Sequence, residues 1–181
     1  MIINERIIRE ELVIQAARQM MVAARTAPKA KGIDIIEMAL VTGVDKERLS
    51  NEMQNISVER DWKFFLRDAE NIMQADVALI IGTRQQSQGL DCAHCGAMTC
   101  EEKPADTPCA INTIDVGIAV GSACAKAADL KVDTRVMFSA GFAAQRLALL
   151  GDECGCVIAI PVSATSKNPF FDRKPKEQPQ N

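Results

Sequence analysis

The order of apolar and polar positions divides the chain into alternating helical and extended segments. From Glu5, the run ERIIREELVIQAARQMMVAART puts Val13, Ala17, Met20 and Ala24 at helical spacing. Asn4 is placed to cap that helix, and Glu5 lies in the first turn, where the helix dipole favours an acid. Pro28 and Gly32 end it. IIEMALVTG (35–43) reads as a buried strand, and DKERLSNEMQNI as an amphipathic helix starting at Asp45. DWKFFLRDAENIMQA reads as a further helix from Asp61, and DVALIIGT (76–83) as a second buried strand. Later, TRVMFS (134–139) predicts a short strand, GFAAQRLALLG a helix closed by Gly151, and CGCVIAIPVS (154–163) another buried strand. The closing ATSKNPFFDRKPKEQPQN has three prolines and little periodicity, which predicts an extended arm whose end, 174–181, is a tail.

Two segments depart from this rhythm. AINTIDVGIAVGSACAKAADL (110–130) is helical in spacing but apolar on nearly every face. Ile111, Ile114 and Ile118 lie on one side, and Val116, Val120 and Leu130 elsewhere, which predicts burial all round. Gly117, Gly121 and Ala125, spaced by four, make a ridge where another backbone can come close, either from within the chain or from a second copy. Segment 84–109 has neither periodicity. It contains Gly89, Gly96, Pro104 and Pro108, and loops this long inside a compact domain are functional or disordered.

Composition narrows the classes. A chain of 181 residues suits one domain, and with nearly half its residues apolar it can build a core. Twenty-four acids against 21 bases give a net charge of −3, no basic field for a phosphate backbone. One Trp, six Phe and no Tyr leave little surface on which to stack bases, so no nucleic-acid partner is expected. MIINERIIREELVIQ lacks an uninterrupted apolar stretch of signal-peptide type, and no stretch of about 20 residues is free of charge. The expectation is a cytoplasmic protein with no membrane association. Thiols stay reduced there, and a disulfide framework fits an odd total of seven cysteines poorly.

The candidate chemistry lies in GLDCAHCGAMTCEEKPADTPCAIN (89–112), which holds four of the seven cysteines and the chain's one histidine. The spacing is Cys-x2-Cys-x4-Cys-x8-Cys, from Cys92, Cys95, Cys100 and Cys109. A CxxC turn can place two sulfurs on one metal or on one face of a cluster. Gly96 and the neighbouring alanines let backbone N–H groups approach the sulfides. Four thiolates meet the requirement of a [4Fe–4S] or [2Fe–2S] cluster, and equally that of structural zinc. Zinc sites usually pair CxxC with a second close pair, whereas here the last ligand follows after eight residues, behind Pro108, which leans toward a cluster. Neither common ferredoxin spacing is matched residue for residue, and redox-switch thiols are the third reading. His94 reads as lying outside the ligand set. Cys124 reads as a core thiol. Cys154 and Cys156 flank Gly155, and strand alternation would put them on one face, for packing or for redox. No acid–base pair, nucleophile triad or phosphate-binding glycine loop stands out, and Asp115 and Asp129 read as capping or paired acids.

AARTAPKAKGIDIIEMALVTG, RDAENIMQADVALIIGT, the Cys92–Cys109 segment and FSAGFAAQRLALLG…IPVSATSKNPFFDR, in this order, resemble the ferredoxin-domain proteins grouped as DUF2148, over about residues 5–173. The resemblance implies an iron–sulfur domain with Cys92, Cys95, Cys100 and Cys109 as ligands, and no particular substrate. AARTAPKAKGIDIIEMALVTG, IDVGIAVGSACAKAADL and AIPVSATSKNPFFDRK are, more distantly, similar to the FMN-dependent nitroreductases. That likeness implies an α+β sandwich with a central mixed sheet flanked by helices. One domain would span 1–173, with the Cys-rich segment 84–110 inserted, and it would form a homodimer through the 110–130 helix. It also implies FMN as a possible cofactor, with Arg25, Lys29, Lys31 and Arg173 as phosphate candidates. Only MIIN precedes Glu5, where that family carries an Arg-Ser-x-Arg loop, and KAKGIDII replaces its Asn-x-Gln-Pro-Trp run. The expected function is one-electron transfer through a 4Fe–4S cluster to an unknown redox partner. A zinc-stabilised binding module and an FMN-dependent reductase are the alternatives.

Overall fold

Strand β2 (Val77–Arg84) is buried along nearly its whole length, and its alternate residues feed two separate cores. Val77, Leu79 and Ile81 point to one side, Ala78 and Ile80 to the other. The computed structural model describes residues 1–171, so Arg173 and the tail 174–181 lie outside the described residues. β2 is flanked by β1 (Ile36–Val41) and β4 (Cys154–Ser163), with the short β3 (Asp133–Thr134) beyond β4, in the order β1-β2-β4-β3. Helices α1 (Glu5–Thr26) and α4 (Ala110–Asp129) cover one face; α2 (Gly43–Arg60), α3 (Phe64–Gln74) and α5 (Phe138–Arg146) cover the other. The expected helix-flanked sandwich forms. Its sheet, however, pairs antiparallel throughout the described residues rather than as a mixed sheet. Two helices separate β1 from β2, where a parallel pair would be joined by a single crossover helix.

Several elements form where the residue pattern places them. Asn4 Oδ1 accepts the Arg6 N–H at 3.0 Å, and Val13, Ala17, Met20 and Ala24 are the buried stripe of α1. β4 spans the expected residues. Others shift. α2 starts at Gly43, ahead of Asp45, and ends where Asp61 takes a left-handed conformation (φ 51°), which delays α3 to Phe64. Of 134–139, Thr134 pairs in β3 and Met137 makes an isolated bridge to Ala159, while Phe138 already begins α5. α5 ends at Arg146, and turns carry the chain to Gly151.

Burial of the 110–130 helix on every side is also corrected. Val116, Ala119, Val120, Ala123 and Ala127 are buried against α1 and the sheet. Ile114 and Ile118 are 50% and 39% exposed, and apart from the helix's own neighbouring backbone no described atom lies within 4 Å of where a Cβ on Gly117 or Gly121 would stand. The ridge of small residues therefore faces outward. Asp115 is buried and accepts the Ala30 N–H with both carboxylate oxygens (3.2 and 3.1 Å), tying α4 to the turn Ala30–Gly32. Among the described residues no helix is long and apolar enough to cross a membrane.

Candidate metal centre

The cysteine segment runs from the end of β2 to the start of α4 without regular structure, as its composition predicts. Its path is set by left-handed backbone at Asp91 (φ 46°), Ala93 (φ 58°) and Gly96 (φ 92°). The Gly96 N–H closes a turn on the Ala93 carbonyl at 3.0 Å. Asp91 Oδ1 accepts the Cys100 N–H at 2.7 Å, holding the third cysteine against the CxxC turn. Lys103 Nζ donates to the carbonyls of Pro104 (3.0 Å) and Thr107 (2.6 Å), drawing the return limb toward α4. Cys92, Cys95, Cys100 and Cys109 are all half-buried, and all four line one small cavity, together with Asp91 and Lys103. His94 is exposed and is not among the residues lining it. Its Nδ1 lies 2.8 Å from the Cys92 carbonyl, a contact that only an Nδ1–H can make.

All seven thiols are free. Cys109 immediately precedes α4, and its thiol pKa is lowered. Burial alone would raise it, but the backbone N–H groups of Gln88, Asn112 and Ile111 and the Lys103 charge outweigh that cost. Its sulfur makes no capping hydrogen bond of ordinary geometry, so the effect is one of nearby dipoles. Burial pushes the thiols of Cys124, Cys154 and Cys156 the other way. Among the described residues no three His, Cys, Asp or Glu side chains form a group that could hold a metal ion. The four thiols line one space, and four thiolates are the donor set that either a cluster or a structural zinc needs.

A second cavity lies beside the first. It is walled by the end of β2, the return limb of the loop, Asn112 of α4, and Gly155 and Cys156 of β4; Lys103 and Cys109 line both cavities. The β2–β4 register is irregular here. Ile81 faces Ile158 but Thr83 faces Gly155, so Cys156 and Val157 together oppose Gly82. This bulge, with Cys156 at φ 50°, breaks the alternation that would have put Cys154 and Cys156 on one face. Cys156 lines the cavity; Cys154 does not, and it feels the charges of Glu37 and Arg84 instead.

The candidate phosphate cations are committed to the fold. Arg25 Nη1 lies 2.7 Å from Asp34 Oδ1 and donates to the Ile36 carbonyl at 2.8 Å. Lys29 Nζ donates to the carbonyls of Ala24, Arg25 and Ala27 at the end of α1, and Lys31 Nζ to that of Gln88. These residues do not offer FMN a set of uncommitted cations. Three residues of the site were not singled out from the sequence: Asp91, Lys103 and Asn112. Asp91 carried a signal, since Asp tolerates left-handed turns and bonds nearby backbone. Asn112 carried another, as an amide in the first turn of a mostly apolar helix. Lys103 carried none.

The family described as "Uncharacterized protein containing a ferredoxin domain (DUF2148)" matches residues 105–173. A protein of Archaeoglobus fulgidus, described as uncharacterized, is 39% identical over 187 aligned positions that cover 98% of this chain and 100% of that one. The chain belongs to the DUF2148 family. The matched stretch of the DUF2148 pattern takes in Cys109, while Cys92, Cys95 and Cys100 precede it. Solved structures with the same fold include an oxidoreductase containing FMN (TM-score 0.58, 15% identity, covering 84% of this chain and 67% of that one). Another is a nitroreductase family protein from Clostridium novyi (TM-score 0.57, 13% identity, 82% and 73% covered). A third is a nitroreductase with bound FMN from Desulfitobacterium hafniense (TM-score 0.56, 12% identity, 92% and 82% covered). At these identities the likeness shows the fold: this DUF2148 protein has a nitroreductase-like α+β architecture.

Proposed function

We propose that the chain is an iron–sulfur redox protein in which Cys92, Cys95, Cys100 and Cys109 hold a [4Fe–4S] cluster. The observation that carries this is the single cavity lined by all four thiols, in a family whose members contain a ferredoxin domain. Structural zinc would draw on the same four thiols at about 2.3 Å, so the metal count below separates the two. When bound, the cluster supplies one-electron transfer. The chain's own part is to hold the thiols: Gly96 and Asp91 shape the first three, and the start of α4 presents Cys109 with backbone dipoles toward its sulfur. Cytoplasmic residence, which keeps such thiols reduced, goes with this reading. A second reading, an FMN-dependent reductase, is favoured by the flavoprotein neighbours of the fold but not by the committed cations. We further propose that a second copy packs on the outward ridge of α4, since among the described residues no other element comes close to Gly117 and Gly121.

The test is anaerobic purification, followed by a UV–visible spectrum with iron, sulfide, zinc and flavin counted on the same sample. The expected result is broad brown absorption with about four irons and four sulfides per chain, lost in Cys95→Ala. A colourless protein with one zinc, or full iron and sulfide in Cys95→Ala, overturns the assignment. Stoichiometric FMN would move the reading to a reductase.

A further inference from the structure

The second cavity, about 120 Å³ in volume, is too small for the ligands of ordinary 300–1,000 Å³ pockets, yet it has room for about eight water-sized atoms. We propose that it binds a small neutral molecule bearing an N–H or O–H donor, such as a primary amide or a hydroxyl compound, with Asn112 Oδ1 as the acceptor that orients it. Asn112 is 2% exposed and lines the cavity. Its Nδ2 donates to the Gln86 carbonyl, which settles which end of the amide is nitrogen. Oδ1 is then a buried acceptor with no partner among the described residues. Such an atom costs free energy until a donor reaches it, and Asn112 belongs to the cavity wall.

The walls do not favour an anion. Lys103 is bonded to the carbonyls of Pro104 and Thr107, Arg84 is paired with Glu37, and the Asp106 carboxylate lines the cavity beside them. Gln85 and Gln145 add amide groups that can donate or accept. The bulge is independent support. Left-handed backbone at a non-glycine strand residue is costly and gathers at functional sites, and here it brings Cys156 to the cavity wall. Because Lys103 and Cys109 belong to both cavities, an occupant sits against the thiol that would ligate the cluster. The binding does not rest on the cluster reading.

The experiment is ligand-observed saturation-transfer NMR on the purified full chain with acetamide as probe and N,N-dimethylacetamide, which lacks the N–H donor, as control. Iron is counted on the same sample. Acetamide should bind saturably and the control should not. Asn112→Leu, which removes the acceptor, and Cys156→Met, which fills the cavity from the opposite wall, should each weaken binding at least tenfold. Should either variant fail to fold, the other and the control carry the test. No saturable acetamide signal, meaning a cavity that holds water only, overturns the site, as does equal binding of the control or undiminished binding in a folded Cys156→Met. Acetamide binding to iron-free protein keeps the site and removes the cluster; an iron-loaded protein that ignores acetamide does the reverse.

Discussion

Asp34 is joined to Arg25 at 2.7 Å and accepts the Ile36 N–H at 3.2 Å, so one carboxylate fastens the end of α1 to the start of β1. Burial would raise its pKa, but the hydrogen bonds from Arg25 and Ile36 prevail and the net shift is downward. A carboxyl whose folded pKa lies below its unfolded value contributes stability above that unfolded value, and loses it as the pH falls through the folded pKa. Thermal melts of Asp34→Asn should therefore fall below wild type by a constant margin above about pH 5, and the margin should close as the pH drops below about 4. A margin that persists in acid would mean the side chain acts through packing. The same Arg25 shows what is legible residue by residue. Its charge near the end of a helix was readable as a phosphate candidate, but its partner, nine residues on, emerges only when β1 returns beside α1. The cysteines were legible because ligand chemistry demands a residue type at a spacing, whereas Lys103 acts through backbone carbonyls that any sequence supplies.

At the scale of elements, the seating of α5 on β4 depends on Gly141. A Cβ there would stand 2.0 Å from the Val157 carbonyl oxygen, an overlap with backbone that no side-chain movement relieves. Gly141→Ala should cost about 3 kcal/mol or more in urea unfolding, with an unchanged slope. By contrast, Gly117→Ala on the open face of α4 should gain up to about 1 kcal/mol in the isolated chain. Equal effects from both would contradict the packing described. This contact also explains why the segment after Asp133 was misread. TRVMFS has the β-branched and aromatic content of a strand, but the small residues of SAGFAA let a helix lie flat against the sheet, and α5 begins as soon as Met137 has bridged to Ala159. The strands β2 and β4 were legible because burial on both faces leaves a long apolar run, and the edge strand β1 because only Glu37 interrupts its apolar residues. Their direction was not, since apolar runs say nothing of which way the neighbouring strand runs. The bulge at Cys156 was equally hidden, because it arises from a register shift shared by two strands far apart in sequence.

For the whole molecule, the question is what covers α4. Its inner face is spent on α1 and the sheet, while the partly exposed Ile114 and Ile118 flank Gly117 and Gly121, which no other element of the described residues approaches. Glycine in the middle of a helix costs about 1 kcal/mol relative to Ala, and two of them on an open surface gain nothing in a monomer to offset that. They gain something if a second helix approaches where side chains would hold it off. Sedimentation at micromolar concentration should then give a dimer for wild type and a monomer for Gly121→Leu, with the helical circular dichroism retained. The variant separates the two cases by sign. In a chain that works alone, Leu on an open helix face raises helix propensity and leaves or improves the melting temperature. In a dimer seated on this ridge it displaces the partner, and the melting temperature loses its dependence on protein concentration. A wild-type chain that sediments as a monomer, or a Gly121→Leu chain that still dimerises, would mean that the outward ridge serves some other contact.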